Sequence, residues 1–381
     1  MRLRYRSGMR TRLADIANRA GVSEATVSRV LNDRPGVSAS TRQAVLTALD
    51  VLGYERPLRL QRKHRAGLVG LVLPELSNPI FPAFAQVIEG ILAQQGYTPV
   101  LCTQTPGGVT EDEYVEMLLE RSVSGIIFVS GLHAATTTDP ARYRRLVERR
   151  LPIVLVNGYI SGVEAPFISP DEEAAARMAV AHLVSLGHRR IGMVNGPQRF
   201  VPVQRKLAGW RRAMSDLLGA DEAELAELVS LALWFGVEDG AAAAGPLLDR
   251  GVTGFVCGSD LMALGVIRAA RSRGLAVPDQ VSVVGYDDSP LIAYTDPPLT
   301  TVRQPVTQMA EATVRALLDQ IAGQEVPHSE YLFTPELVVR SSTAPAPGHR
   351  GPVPVARSVP DGRAADRPDP GVHRPGRGVP A

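Results

Sequence analysis

The stretch that decides the N-terminal fold is Thr11-Arg-Leu-Ala-Asp-Ile-Ala-Asn-Arg-Ala-Gly-Val-Ser-Glu-Ala-Thr-Val-Ser-Arg-Val-Leu-Asn32. Thr11 is a helix-capping residue type, and the helix that it starts continues through Ala20. Gly21 then makes a tight turn, and Ser23 caps a second helix that runs to about Asn32. Two short helices joined by such a turn predict a helix-turn-helix unit.

A third helix follows, with Ser38 as its cap and Gly53 as its stop. Its apolar residues recur at helical spacing and predict a buried face; they are Val45, Leu46, Leu49 and Leu52. In the second helix the same periodicity turns three residues inward, namely Val27, Val30 and Leu31. The remaining face of that helix is left to solvent or to a partner.

In helix-turn-helix proteins the second helix enters the major groove, and its outward residues reach base edges. The outward residues here are Glu24, Ala25, Ser28 and Arg29. Arg29 is suited to two hydrogen bonds with a guanine, and Ala25 to a thymine methyl. Short polar groups suited to phosphate oxygens are Thr11, Ser23, Thr26, Asn32, Ser38 and Thr41. The alternative interpretation is that these residues are ordinary helix caps and a solvated helix face.

Charge separates the N-terminal part from the rest of the chain. Residues 1–65 hold 14 Arg and Lys against 5 Asp and Glu, whereas residues 66–343 hold 21 against 31. A basic head on an acidic body indicates that the head meets a polyanion. The alternative is an arginine-rich terminus that is merely solvated.

The body alternates short apolar runs with amphipathic stretches. Candidate strands are Leu68–Leu73, Thr98–Cys102, Gly125–Val129, Ile153–Val156, Arg190–Val194, Thr253–Cys257 and Val281–Val284. Candidate helices are Pro82–Gln95, Glu173–Ser185, Val203–Leu218 and Leu261–Arg273. This alternation predicts parallel sheets covered on both faces, and its length predicts an α/β core of two doubly wound lobes.

We therefore divide the chain into five parts. Residues 1–10 are a basic leader, 11–54 the helix-turn-helix head, and 55–66 a basic hinge or linker. Residues 67–343 form the two-lobed core, to which we assign ligand binding and dimerisation. Residues 344–381 hold nine Pro and six Gly without apolar periodicity, which predicts a disordered tail.

The head closely resembles that of the lactose-repressor (LacI/GalR) family. The matching segments are Thr11 to Asn32, Pro35-Gly-Val-Ser-Ala-Ser-Thr-Arg42 and Leu52-Gly-Tyr54. Matches in the body are Leu73-Pro-Glu-Leu-Ser-Asn-Pro-Ile-Phe81, His182-Leu-Val-Ser-Leu-Gly-His-Arg-Arg-Ile191, Leu207-Ala-Gly-Trp210, Ser259-Asp-Leu-Met-Ala-Leu-Gly265 and Val283-Val-Gly-Tyr-Asp-Asp288. The resemblance implies a core shaped like a periplasmic sugar-binding protein, and a homodimer, with a tetramer as the alternative, that represses from a palindromic operator.

The connector departs from the family pattern, in which a short hinge helix inserts a leucine into the minor groove. Here the connector is shorter and Pro57 lies near the usual alanine position. Leu60 is the best candidate for the inserted leucine, followed by Leu58. A basic linker that only contacts phosphates is an equally good interpretation.

Polar residues that follow core strands are candidates for an effector site, because two α/β lobes bind ligands outside the carboxyl ends of their strands. They are Ser77, Asn78, Asn157, Ser259 and Asp287. The resemblance adds Phe81, Lys206, which stands where the family usually has arginine, and Phe235, where a ring stacks on the effector. This chemistry suits a sugar-like ligand. The alternatives are helix caps and solvated loops; Asp260 in particular reads as the cap of the helix after it.

Two other classes of protein are disfavoured. A solute receptor of a transporter needs export, yet the basic N-terminus lacks the apolar stretch of a secretory signal. An enzyme needs a nucleophile elbow, a metal-ligand set or a phosphate loop, and the sequence has none of these patterns. We therefore expect a cytoplasmic transcription regulator without a cofactor, a metal or a catalytic residue, whose partners are operator DNA and a small molecule.

Overall fold

A computed structural model describes residues 13–31, 36–52, 67–104 and 107–348. The leader, the hinge with Leu58 and Leu60, and the contact candidates Thr11 and Asn32 lie outside the described residues, as does the tail beyond residue 348. In the part that is described, no helix is both long and apolar enough to cross a membrane.

The head has three helices, α1 (Leu13–Ala20), α2 (Glu24–Leu31) and α3 (Ala39–Val51). They pack around Ile16, Val27 and Val45, whose side chains are fully buried. The prediction that Leu46 faces this core is wrong, because its side chain is 43% exposed and Ala48, at 3%, is buried in its place. One helical position separates Val45 from Leu46, so only one of them can face α1 and α2.

The N-terminal lobe is a six-stranded parallel sheet in the order β11-β5-β4-β3-β1-β2. Its strands are β1 (Gly67–Leu73), β2 (Tyr97–Thr103), β3 (Gly125–Val129), β4 (Ile153–Val156), β5 (Phe167–Pro170) and β11 (Glu330–Phe333). Its helices are α4 (Ile80–Gln94), α5 (Glu111–Glu120), α6 (Ala141–Glu148) and α12 (Val306–Ile321). Strands β3 and β4 are buried throughout, as expected of a sheet with helices on both faces.

The C-terminal lobe repeats this plan in the order β12-β10-β9-β8-β6-β7, and only the β10–β12 pair is antiparallel. Its strands are β6 (Ile191–Asn195), β7 (Val229–Leu231), β8 (Gly254–Cys257), β9 (Ser282–Asp287), β10 (Thr300–Arg303) and β12 (Glu336–Val338). Its helices are α7 (Glu172–Ser185), α8 (Val201–Leu218), α9 (Glu222–Glu227), α10 (Val237–Asp249) and α11 (Asp260–Ser272). The doubly wound, two-lobed α/β fold is thereby confirmed.

The chain passes between the lobes three times, after β5, β10 and β11. The chain leaves β5 at Pro170 and β10 at Arg303 for the other lobe, in both cases from the carboxyl end of the strand. The carboxyl ends of the parallel strands in both sheets therefore face the crevice between the lobes. This is the edge of an α/β sheet at which ligands bind.

Two sequence-based boundaries need correction. Helix α11 is capped by Ser259 and not by Asp260, because the Ser259 hydroxyl accepts the Met262 N–H at 3.1 Å. Residues 344–346 belong to the C-terminal lobe and not to a disordered tail. The Ala344 N–H donates to the Ser282 hydroxyl at 3.0 Å, and the Ala346 N–H donates to the Leu186 carbonyl at 2.8 Å.

Candidate nucleic-acid interface and ligand crevice

The outward face of α2 is available for contact. Burial of Val27, Val30 and Leu31 against α1 and α3 leaves Glu24, Ala25 and Arg29 exposed, while Ser28 is half-buried. Of the predicted base-contacting residues, Arg29 therefore extends a guanidinium away from the head with the longest reach. The structure agrees with the periodicity of the sequence here, because one apolar face fixes the opposite face.

Short hydroxyl side chains order the starts of α2 and α3. The Ser23 hydroxyl accepts the Thr26 N–H at 3.2 Å and lies 3.0 Å from the Thr26 hydroxyl. The Ser38 hydroxyl accepts the Thr41 N–H at 3.1 Å and donates to the Thr41 hydroxyl at 2.8 Å. These residues act as caps in the protein, and a helix N-terminus with exposed amides is also suited to an anion such as phosphate.

On the N-terminal side of the crevice the candidates have different environments. Asn157 is buried directly after β4, with a φ of 59°. Asn78 is also buried, and its Oδ1 accepts the Ile80 N–H at 3.3 Å at the start of α4. Ser77 is exposed and donates to the Glu75 carboxylate, whereas Phe81 packs against the core of the lobe. The two asparagines thus face the interior, and Ser77 is directed to solvent.

On the C-terminal side a ring and a hydroxyl are held together. The Ser259 hydroxyl donates to the Phe235 carbonyl at 3.0 Å. A Cβ at Gly196 would lie 2.2 Å from Phe235 Cε1, so glycine at the end of β6 makes room for the ring. The Phe200 ring lies 6.0 Å from it, centroid to centroid. The Ser259 hydroxyl therefore links the start of α11 to the Phe235 loop.

Lys206 is buried and contacts two protein groups. Its ammonium lies 2.7 Å from Glu172 Oε2 and 3.8 Å from the centroid of the Tyr286 ring. The side chains of Lys206 and Glu172 are only 7% and 3% exposed. The sequence prediction placed Lys206 at the site but did not find its partner.

Asp287 is a buried carboxylate with one unsatisfied oxygen. It ends β9 with a φ of 118°, and its Oδ1 accepts the Gln304 amide at 2.7 Å. Its Oδ2 has no hydrogen-bond partner among the described residues. Burial raises the pKa of Asp287 well above its usual range, the charge of Asp260 adds to this, and Lys206 opposes it.

Several buried polar atoms at or near strand ends have no partner among the described residues, and five of them are candidates for ligand contact. They are Asn157 Oδ1, Ser169 Oγ, Asn195 Nδ2, Asp287 Oδ2 and Gln304 Oε1. Buried polar atoms are nearly always hydrogen-bonded, so such a group indicates a place for a polar ligand or water. Sequence reasoning missed Ser169, Asn195 and Gln304, although Asn195 and Gln304 end or directly follow a strand.

The two lobes also contact each other across the crevice. The Thr136 N–H of the N-terminal lobe donates to the Arg199 carbonyl of the C-terminal lobe at 2.8 Å. Arg205 of α8 makes a bidentate ion pair with Glu330 of β11 at 2.6 and 2.8 Å. Any opening of the crevice has to break such contacts.

Comparisons with known proteins agree with this architecture. A family model described as "Bacterial regulatory proteins, lacI family" matches residues 12–56, and one described as "Periplasmic binding protein-like domain" matches residues 180–343. The chain is 65% identical over 344 residues to the HTH-type transcriptional regulator MalR of Streptomyces coelicolor, covering 90% of this chain and 99% of that protein.

Two solved structures are also similar. A complex of the transcriptional regulator CelR with cellobiose has a TM-score of 0.64 and 33% identity, over 87% of this chain and all of that one. A lac repressor dimer bound to operator and an anti-inducer has a TM-score of 0.62 and 28% identity, over 88% of this chain and all of that one. These relatives are regulators and not enzymes.

Proposed function

Since the chain belongs to the lacI family of bacterial regulatory proteins and is a DNA-binding transcription regulator, we propose that it represses from a palindromic operator and that a sugar in its crevice sets its affinity for DNA. The observation that carries the effector assignment is the group of unpartnered buried polar atoms at the strand ends. The group mixes acceptors such as Asp287 Oδ2 with a donor, Asn195 Nδ2. Sugar hydroxyls donate and accept at once, so they satisfy both kinds of atom.

The ring pair at the same edge supports a sugar. Phe235 and Phe200 present apolar surface beside the polar atoms, and the apolar C–H face of a sugar ring packs on such a surface. CelR, the relative with 33% identity, was solved with cellobiose. Together, ring and amide groups match a ligand with one apolar face and a rim of hydroxyls.

For DNA we assign base reading to the exposed face of α2, with Arg29 as the principal contact and Glu24, Ala25 and Ser28 beside it. The caps of α2 and α3, at Ser23, Thr26, Ser38 and Thr41, are assigned to phosphates. The guanidinium of an exposed arginine forms two parallel hydrogen bonds with guanine O6 and N7. We also assign phosphate contact to Thr11 and Asn32, and minor-groove insertion to Leu60.

A homodimer is the assembly that fits this mode of binding, with two heads on the two half-sites of one operator in the cytoplasm. The loop after β9 offers an apolar surface for a second copy, because Leu291 and Tyr294 are 72% and 84% exposed. The lac repressor, whose fold is similar, was solved as a dimer on operator. Mass photometry distinguishes the dimer from a tetramer.

The test begins with selection of a binding site from random duplex DNA, followed by fluorescence anisotropy at several salt concentrations. We expect a palindromic site and a steep fall in affinity with salt, because basic heads displace counterions. Arg29→Ala should weaken the selected site by about 1–3 kcal/mol and relax preference at one position. The control is Arg145→Ala, which removes an exposed arginine of α6. Equal losses on random and selected DNA would contradict base reading by Arg29.

Effector binding is tested on the same protein–operator complex with a panel of neutral sugars that includes cellobiose, maltose, glucose and ribose. We expect one of them to change operator affinity by tenfold or more, which corresponds to about 1.4 kcal/mol of coupling. If no sugar binds or changes the anisotropy, the assignment of a sugar to the crevice is wrong.

A further inference from the structure

We propose that Glu172 makes the crevice selective for uncharged sugars, because it neutralises the buried cation, Lys206, that would otherwise attract an anionic ligand. The inference rests on the proposed function and deepens it: it concerns the charge of the effector and names a specificity-determining residue. Glu172 begins α7, directly after the first crossover between the lobes, and it lies beside the predicted effector residues and not among them.

The geometry commits the Lys206 ammonium to two protein groups. Glu172 Oε2 lies 2.7 Å from Nζ, and the Tyr286 ring centroid lies 3.8 Å from Nζ. An ion pair buried to this extent is weakly screened, so Glu172 offsets nearly all of the charge that Lys206 would present to a ligand. A ligand carboxylate or phosphate would have to displace Glu172 and leave it buried without a partner.

Buried carboxyl groups lie near this ion pair on the C-terminal side of the crevice. Asp287 lies next to Tyr286 in sequence, and Asp260, also buried, accepts hydrogen bonds from Ser289 and Thr301 at 2.7 and 2.6 Å. The raised pKa of Tyr286 agrees with this, since burial and the charges of Glu172 and Asp287 all oppose its ionisation. Lys206 is therefore one buried cation among several carboxyl groups, and its charge is already paired with Glu172.

Two arginines near the crevice make other contacts. Arg205 is committed to both oxygens of Glu330, and the guanidinium of Arg199 lies over the Phe200 ring at 4.7 Å and within 5.9 Å of the Trp234 ring. A neutral polyol gains hydrogen bonds from Asp287, Asn157 and Gln304 without a change of charge in the site. A sugar acid of the same shape gains the same bonds but finds the charge of Lys206 already paired with Glu172.

The experiment compares Glu172→Gln with Glu173→Gln. Glu173 is the next residue, but its carboxylate pairs with Arg212 in an exposed position, so its substitution changes total charge equally without reaching Lys206. Isothermal titration is performed with matched pairs, namely glucose with glucuronate, galactose with galacturonate, and cellobiose with cellobiouronic acid. The readout is the ratio of the affinities for the neutral and acidic members of each pair.

For the wild-type protein and Glu173→Gln we expect the neutral sugar to bind at least tenfold more tightly than its acid. Glu172→Gln should lower this ratio at least tenfold, because Lys206 then offers its charge to the acid. The double variant Glu172→Gln/Lys206→Met should restore a preference for the neutral sugar, and it keeps the test valid if an unpaired Lys206 weakens folding.

Two outcomes would contradict this inference and leave the proposed function intact. In one, the wild-type protein binds a uronate as tightly as its neutral sugar; in the other, Glu172→Gln leaves the ratio of neutral to acidic affinity unchanged. In both cases sugars still bind, and the proposed function stands. If neither neutral nor acidic sugars bind to the wild-type protein, the sugar assignment and the inference both fail.

Discussion

Each lobe buries a carboxyl group near the crevice, and the two groups differ in how completely they are satisfied. Glu111 of the N-terminal lobe accepts the Leu132 N–H at 2.9 Å, the Tyr143 hydroxyl at 2.5 Å and the Gln104 amide at 3.4 Å. Asp287 of the C-terminal lobe accepts only the Gln304 amide, and its second oxygen has no partner among the described residues.

This difference agrees with a structural role for Glu111 and with the ligand contact that we propose for Asp287. The Glu111 network fixes the loop at Leu132–Ala134, next to the Thr136 N–H that contacts the opposite lobe. Burial lowers the pKa of His133 in this loop to about 4, so the imidazole stays neutral there. A network that is complete within one lobe supports the fold, whereas an incomplete one beside a crevice supports binding.

The largest expected effect comes from Glu111. Glu111→Ala leaves the Leu132 N–H and the Tyr143 hydroxyl without an acceptor, and each such loss costs about 1–3 kcal/mol. We expect the free energy of unfolding, measured with urea, to fall by about 3–5 kcal/mol. The control is Glu113→Ala at the exposed cap of α5, which should cost about 1 kcal/mol. Equal effects of the two substitutions would contradict the structural role of Glu111.

Asp287→Asn should change stability little and sugar affinity strongly, in contrast to Glu111→Ala. The Asn side chain retains an acceptor for Gln304 and removes a buried carboxylate that lacks a second partner, so unfolding should change by less than about 1 kcal/mol. Affinity for the sugar that binds best should fall by about tenfold or more, because the Asn amide presents a donor where Oδ2 accepts, and a buried hydroxyl left without its acceptor costs about 1–3 kcal/mol. A large loss of stability with unchanged sugar affinity would place Asp287 in the same class as Glu111.

The pH dependence of stability tests whether Asp287 is buried without a full set of partners. Burial raises the pKa of Asp287 well above its ordinary 3.8 and that of Asp260 to about 6. Between pH 4 and 6 the folded chain therefore holds more protons at these groups than the unfolded chain does, so their contribution to stability falls as pH rises. Urea titrations across this window should give a shallower fall for Asp287→Asn than for the wild-type protein. Identical slopes would show that Asp287 ionises normally in the fold.

The smallest expected effect lies at the rim of the crevice. Trp234 is 57% exposed and shares the Arg199 guanidinium with Phe200. A ring at the rim adds stacking surface for an extended sugar, which is worth about 0.5–1.5 kcal/mol. Trp234→Ala should weaken cellobiose binding about threefold to tenfold in titration calorimetry and leave glucose binding unchanged. The control is Leu233→Ala, at a neighbouring residue that is 80% exposed, and an equal loss there would exclude a specific contact.

Sequence patterns predicted the features that depend on local periodicity, such as the buried face of a helix or the residue that ends an apolar strand. The faces of α1 and α2 follow from apolar periodicity, and Asn157 and Asp287 were found because they stand at the ends of apolar strands. Five strands were missed, namely β5, β7, β10, β11 and β12; each is three or four residues long and contains at least one polar residue. Runs this short carry little periodicity.

Partnerships between distant residues could not be predicted. Glu172 and Glu173 are adjacent acidic residues, and only the packing of α7 against α8 decides that Glu172 meets Lys206 while Glu173 meets Arg212 at the surface. Consecutive helical residues point about 100° apart, so one of the pair must turn outward, but the sequence does not say which. This orientation determines whether a buried carboxylate pairs with Lys206 in the crevice.

The most direct test of the account measures operator affinity with and without the sugar that binds best, for the wild-type protein and Asp287→Asn, by fluorescence anisotropy. The account predicts at least a tenfold change for the wild-type protein. For Asp287→Asn it predicts normal operator affinity without sugar and less than a twofold change with sugar. A variant that responds to sugar as the wild-type protein does would contradict the claim that the effector acts through the crevice at Asp287.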